Sequence, residues 1–189
     1  MIHEPYSYIA KRFLNLVSRI LYLSIVLAVN RLVMTPFTGM FEKALEFALK
    51  KHKGQHRESS NMPYYRHPIS VAKNIEETKK SKNLELLMTA AILHDTVEDC
   101  EGVTLQEIAE KFGYYVAALV DELTSDKKEI AKIGKTEYLK NKMAKLSSYG
   151  LVIKLSDRLN NVKDLNETSK QFQKRYTEET LDILNHLES

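Results

Sequence analysis

A single cysteine, Cys100, among 189 residues excludes an intramolecular disulfide and any cysteine-based zinc cluster. Any metal ion must then be held by His, Asp and Glu, and the chain reads as a protein of a reducing compartment, the cytoplasm. A strong charge of one sign is also missing. Lys+Arg number 28 against 25 Asp+Glu, a formal +3, and no extended basic tract is present, which argues against nucleic acid and for a small-molecule partner. Long hydrophobic runs are lacking too. The stretch 20–29, ILYLSIVLAV, is bracketed by Arg19 and Arg31 and is shorter than the roughly 20 residues of a membrane span. Ala28-Val29-Asn30 after it is a poor signal-peptide cleavage site. Glycine is scarce, 6 residues, and strand-like alternation is absent, while helical periodicity and helix punctuation recur along the chain. The expected class is all-α.

The charge that is present is unevenly placed. Lys11, Arg12, Arg19 and Arg31 face only Glu4 in the first 40 residues, so the whole formal excess sits there. Residues 1–35 read as a basic amphipathic extension with a polar stripe through Lys11, Asn15, Ser18, Arg19 and Tyr22. Such a segment packs on the domain, pairs with another copy or lies on an acidic membrane surface, and is expected to be dispensable for catalysis. Residues 36–189 are expected to form the functional domain. Within it, Thr35-Pro36 predicts a helix start running through Leu49 with Gly54 beyond its end, and Pro68 opens a helix with His67 at its mouth. An apolar helix from Leu84 to Ile92 follows, then a Thr104/Glu107 capping box on a helix closed by Gly113, and a helix from Tyr114 to Leu123. Helices over 135–147, 149–165 and 177–187 complete the pattern.

The apolar helix ending at Ile92 delivers His94-Asp95-Thr96-Val97-Glu98-Asp99. A His-Asp pair alone is weak, because a lone buried histidine is usually a hydrogen-bonded core residue. The three carboxylates of Asp95, Glu98 and Asp99 strengthen it: on a continuing helix they share one surface, and their repulsion calls for a cation. A mixed imidazole and carboxylate set suits Mn, Fe or Zn. Asp157 interrupts an otherwise apolar helix and is a second, independent sign; its bland alternative is an ion pair with Lys154 or Arg158 on a solvated face.

Taken in order, Lys51-His52-x-Gly54-Gln55-x-Arg57, Pro63-Tyr64-x-x-His67-Pro68, Ala90 to Asp99, Phe112-Gly113 and Lys154 to Asn161 resemble the hydrolase domains of stringent-response RelA/SpoT homologues, especially their small stand-alone members. The resemblance covers roughly residues 41–165 and implies an HD-domain helical bundle. It also implies that His67, His94, Asp95 and Asp157 hold one divalent ion, usually manganese, and that Glu98 with Asp99 forms the catalytic acidic pair. Arg57 and Asn161 become contacts to the nucleotide. The implied reaction removes the 3′-diphosphate of guanosine 3′,5′-bis(diphosphate), or of its pentaphosphate relative, as pyrophosphate. Alternatives are another phosphorylated nucleotide, such as a nicotinamide dinucleotide 2′-phosphate, or a non-catalytic nucleotide-binding module.

Physical chemistry is compatible with that implication. Bound metal lowers the pKa of a water and neutralises phosphoryl charge, with a nearby carboxylate to position the water or carry its proton. Arg57 suits bidentate pairing with phosphate, and Lys154 and Arg158 either add positive field or are surface charge. His52 and Gln55 read as supports for their loop, and Tyr64 as either a base-stacking or a core residue. The chain departs from the family at Glu58, where a second basic residue is common, at 59–62, which lack the usual glycine, and at Asp164, where larger members often carry threonine. No room remains in these residues for a synthetase domain.

Overall fold

A computed structural model of the chain describes residues 11–13, 39–57 and 61–189. Among these residues there is no strand, only an isolated antiparallel bridge between His56 and Pro63. The helices are α1 (Met40–Lys51), α2 (Arg66–Thr78), α3 (Leu84–Leu93), the single turn α4 (Thr96–Asp99), α5 (Leu105–Phe112) and α6 (Tyr114–Leu123). They continue with α7 (Lys127–Ile133), α8 (Lys135–Lys145), α9 (Ser148–Lys163), a 3-10 turn (Asp164–Glu167) and α10 (Lys170–Glu188). The all-α expectation holds, and none of the described helices is long and apolar enough to cross a membrane.

Two hydrophobic cores share one helix. The first gathers Ala44 and Ala48 of α1, Val71 and Ile75 of α2, the α3 residues from Leu87 to Leu93, Ile108 and Phe112 of α5, and Val116 and Val120 of α6. The second gathers Leu139 and Met143 of α8 with Ile183 and Leu184 of α10. Helix α9 gives Val152 and Ile153 to the first and Leu155, Leu159 and Val162 to the second. Because it is enclosed from both sides, its polar residues Ser156, Asp157, Arg158 and Asn160 are buried as well. Buried polar groups are costly unless partnered, so α9 carries the chemistry through the middle of the molecule. Gly150 near its start leaves room for the Glu122 carboxylate of α6, which lies where a Cβ would sit.

Punctuation explains several helix ends. Thr104 accepts the Glu107 N–H at 3.1 Å, as its capping motif predicts, while the Glu107 carboxylate pairs with Lys51 of α1. Gly113, at φ 88°, both closes α5 and opens α6. Several expectations are corrected. Helix α1 runs from Met40 behind a left-handed Gly39, and the expected start at Thr35-Pro36 lies outside the described residues. Helix α10 begins at Lys170, seven residues before Thr177, because the Ser169 hydroxyl accepts the Phe172 N–H and caps it. Helix α7 is an addition: Asp126 accepts the N–H groups of Lys128 and Glu129, a cap hidden in a lysine-rich stretch. Asp95, Glu98 and Asp99 do not continue α3, for the chain turns at His94–Asp95 and re-forms only the short α4.

The expected boundary near residues 35–40 falls largely outside the described residues, and so does the 1–35 extension except for Lys11–Phe13. Phe13 is fully buried in the second core.

Candidate active site

Four side chains from three places in the chain meet between the two cores. His94 stands at the end of α3, Asp95 follows at the break, His67 enters from the first turn of α2, and Asp157 lies at the centre of α9. His67, His94 and Asp157 each offer a ligand atom within 4.8 Å of the others. Asp95 Oδ2 joins them at 2.9 Å from His94 Nε2 and 3.7 Å from His67 Nε2. Asp157 Oδ1 lies 3.1 Å from His67 Nε2 and 3.9 Å from His94 Nε2.

Both rings are turned the same way. His94 Nδ1 lies 2.8 Å from the Ala91 carbonyl and His67 Nδ1 lies 2.5 Å from Asn160 Oδ1, so each Nε2 faces the cluster. His94 Nε2 is buried and, despite the nearby Asp95 oxygen, makes no aligned hydrogen bond. An orphaned imidazole nitrogen facing two carboxylates is the arrangement a cation completes, so the residues present fit a divalent ion. Two imidazoles and two carboxylates suit Mn, Fe or Zn better than Ca or Mg.

The electrostatics agree. Burial pulls the His94 imidazole down, but the Asp95 carboxylate, then Asp157, outweighs it and pushes the group up to about 9. Burial likewise disfavours ionised Asp95 and Asp157, yet His94 and His67 for the former, and Lys154 and His67 for the latter, hold both well below the usual carboxylate range. Such mutual stabilisation is what a buried cluster of opposite charges produces.

Supports surround the four. The Tyr64 hydroxyl donates to Asp95 Oδ2 at 2.6 Å, and burial with that carboxylate drives the phenol far above its ordinary value. Lys154 Nζ pairs with Asp157 Oδ2 at 3.0 Å. Asn161 donates to Asp157 Oδ1 at 2.8 Å and accepts from Arg57 Nη2 at 2.7 Å, while Asp164 lies 3.3 Å from the same guanidinium nitrogen. His52 meets Gln55 at 2.6 Å, and Gln55 donates to the Asp99 carbonyl at 2.8 Å, which matches the reading of both as loop supports.

A cavity of about 840 Å³ opens over this cluster. Arg57, Glu98, Asp99, Lys154, Arg158 and Asn161 all line it, together with Asp95 and Asp157. Glu98 Oε2 accepts the Ser125 N–H at 3.0 Å, which fixes one acidic group, while Asp99 is exposed and 3.4 Å from the Tyr64 hydroxyl. Partial desolvation of its carboxyl at the cavity wall, with Asp95 and Glu98 close by, raises the Asp99 pKa. Arg158 is placed differently from a free substrate contact. Its guanidinium is taken up by Glu179 and the Thr180 hydroxyl of α10 and lies over the Tyr176 ring.

Sequence reasoning missed the far wall of the cavity, where Lys127 of α7, Lys135 of α8 and Phe172 and Tyr176 of α10 stand. Phe172 and Tyr176 stack at 5.7 Å, an i, i+4 aromatic pair that would have signalled the face of a helix had α10 been started at Lys170.

Comparison with known proteins agrees with this geometry. The HD domain family model matches residues 44–189. The chain is 33% identical over 135 residues to guanosine-3′,5′-bis(diphosphate) 3′-pyrophosphohydrolase MESH1 of Danio rerio, covering 71% of this chain and 73% of the relative. It is 38% identical over 131 residues to the protein of the same name from Homo sapiens, covering 68% and 71%. The guanosine-3′,5′-bis(diphosphate) 3′-pyrophosphohydrolase of Aquifex aeolicus is 35% identical over 154 residues, but there the match covers 75% of this chain and only 20% of a much longer protein. A solved structure, described as a metazoan ortholog of SpoT that hydrolyzes ppGpp and plays a role in starvation responses, superposes with a TM-score of 0.70 at 28% identity, covering 82% of this chain and 88% of that one. This chain belongs to the HD-domain family, among the relatives of the small stand-alone MESH1 hydrolases.

Proposed function

We propose that this chain hydrolyses guanosine 3′,5′-bis(diphosphate), and its pentaphosphate relative, at the 3′ side with a divalent ion, manganese by preference. The observation that carries this reading is the meeting of His67, His94, Asp95 and Asp157 beside the Glu98–Asp99 pair, under a cavity whose volume suits a small-molecule site of about 300–1,000 Å³. The names of its relatives supply the substrate.

His67, His94, Asp95 and Asp157 hold the ion in this reading. When bound, the ion lowers the pKa of a water toward neutrality and neutralises charge on the phosphoryl oxygens. Glu98, anchored by the Ser125 N–H, orients the attacking water, and Asp99, whose proton affinity is raised, accepts a proton and returns it to the leaving 3′ oxygen. Water adds across the bond between the 3′ oxygen and its phosphorus, giving a 3′ hydroxyl and pyrophosphate. Arg57 and Asn161, already linked to each other, present donors at the rim, and Lys154 supplies positive charge beside Asp157. Arg158 acts through the wall it holds between α9 and α10.

A single cysteine, Cys100, free of any disulfide, supports a cytoplasmic setting. Of the roles open to residues 1–35, packing on the domain is supported by the burial of Phe13; membrane contact and self-association are its rivals. Product analysis tests the function directly. Incubation of guanosine 3′,5′-bis(diphosphate) with the chain and manganese gives GDP and pyrophosphate; inorganic phosphate alone, or a product that retains a 3′-phosphate, refutes it.

A further inference from the structure

The two histidines of the cluster are oriented by different means, and the difference exposes one residue to test. His94 Nδ1 is held by the Ala91 carbonyl of its own helix, a backbone group no substitution removes. His67 Nδ1 is held at 2.5 Å by the side-chain oxygen of Asn160, 93 residues away on α9. Asn160 is buried and stands three residues after Asp157, so one helical face delivers both a carboxylate to the cluster and an acceptor to the back of the ring facing it. An amide oxygen only accepts. Its partner nitrogen must therefore carry the proton, which leaves the lone pair on Nε2, 3.1 Å from Asp157 Oδ1 and 3.7 Å from Asp95 Oδ2.

The geometry points to Asn160 as the positioning residue that selects the Nδ1–H tautomer of His67 and so presents its Nε2 as a ligand to the divalent ion. This rests on the metal reading of the cluster proposed above. Without the acceptor, the ring is free to turn or to place its proton on Nε2, where it blocks coordination. Removing such an outer partner of a ligating histidine costs about 10–100-fold in metal affinity.

The test uses the full chain and manganese alone. Asn160→Leu removes the acceptor at similar size, and Asn160→Asp keeps an oxygen in place. Titration followed by the signal of free manganese should show the leucine variant about 10–100-fold weaker and the aspartate variant within a few-fold of the unaltered chain. Nitrogen-15 correlation spectra of the metal-free, unaltered chain at alkaline pH should show His67 protonated at Nδ1. Wild-type affinity in the leucine variant, equal weakness in both variants, or a His67 ring protonated at Nε2 each overturns the assignment. If the leucine variant fails to fold, the ring tautomer and the aspartate variant decide. A folded, unaltered chain that binds no divalent ion overturns the metal reading itself, and it is told apart by the tautomer, which is read without metal.

Discussion

Tyr64 and Asp95, 31 residues apart, are joined by a 2.6 Å hydrogen bond to the same Asp95 oxygen that lies 2.9 Å from His94 Nε2. The tyrosine thus does more than fill the core, and it also lines the cavity. Its ring lies against His52 and His67, and its hydroxyl braces a candidate metal ligand. Tyr64→Phe keeps the packing and removes the brace. It should weaken manganese binding by about tenfold, within the 10–100-fold range for outer partners of ligands, with little change in the melting temperature of the metal-free protein. Unchanged affinity by titration would show that the hydroxyl does not act on Asp95.

Asp157→Ala and Glu98→Gln should separate holding the ion from using it. Asp157 contacts His67 and is paired with Lys154, so its loss removes a donor and leaves a largely buried ammonium beside the cluster. The purified Asp157→Ala protein should carry little metal and no activity. Glu98 lies outside the four donors and is anchored to Ser125, so Glu98→Gln should retain the metal and lose most turnover. Elemental analysis of both folded proteins decides, since equal and full occupancy would remove Asp157 from the ligand set.

The contrast between Tyr64 and His94 shows which parts of the site could be read in advance. His94-Asp95 closes an apolar helix and Asp157 interrupts another, and that mismatch with the apolar pattern is visible in one dimension. Tyr64, Asn160 and Ser125 act through contacts between elements, and nothing local distinguishes a bracing tyrosine or asparagine from a solvent-facing one. Arg158 shows a role that sequence could not reveal, although it also lines the cavity. Its neighbours in sequence suggest a cation for substrate, whereas the packing of α10 on α9 commits it to Glu179 and Thr180. Helix α7 has no wide apolar stripe, for none of its seven residues is fully buried and only Ile130 packs against the second core.

Proton linkage gives the metal-free protein a defined pH response. The folded His94 titrates at about 9, above the roughly 6.5 of an unfolded histidine. A raised folded pKa contributes stability that is fully present below the unfolded value and is lost as pH rises through the folded one. Stripped of metal, the protein should therefore lose stability between about pH 6.5 and about 9, a decline that thermal melts in chelator will show. Manganese must displace that proton, so its apparent affinity should rise across the same interval. A flat melting profile together with pH-independent manganese affinity would be inconsistent with a protonated His94 in the metal-free cluster.

Phe13 sets the last prediction. It is fully buried among Leu139, Met143, Leu155, Leu159 and Ile183, and beside it Arg12 bonds to Asn185 and Glu188 near the end of α10. That core is the one that packs α10 onto α9 and so sets the wall that carries Arg158, Phe172 and Tyr176. Phe13→Ala removes a large side chain from a closed site and should cost about 3–5 kcal/mol. A chain beginning at Met34 loses the same side chain and should be destabilised at least as much, although every metal donor and both acidic residues remain. The two proteins should keep manganese-dependent turnover at low temperature and lose it on warming before the unaltered chain does. Denaturant melts on all three provide the check: if Phe13→Ala and the shortened chain unfold at the midpoint of the unaltered protein, residues 11–13 contribute nothing to the core, and residues 1–35 form a separable extension.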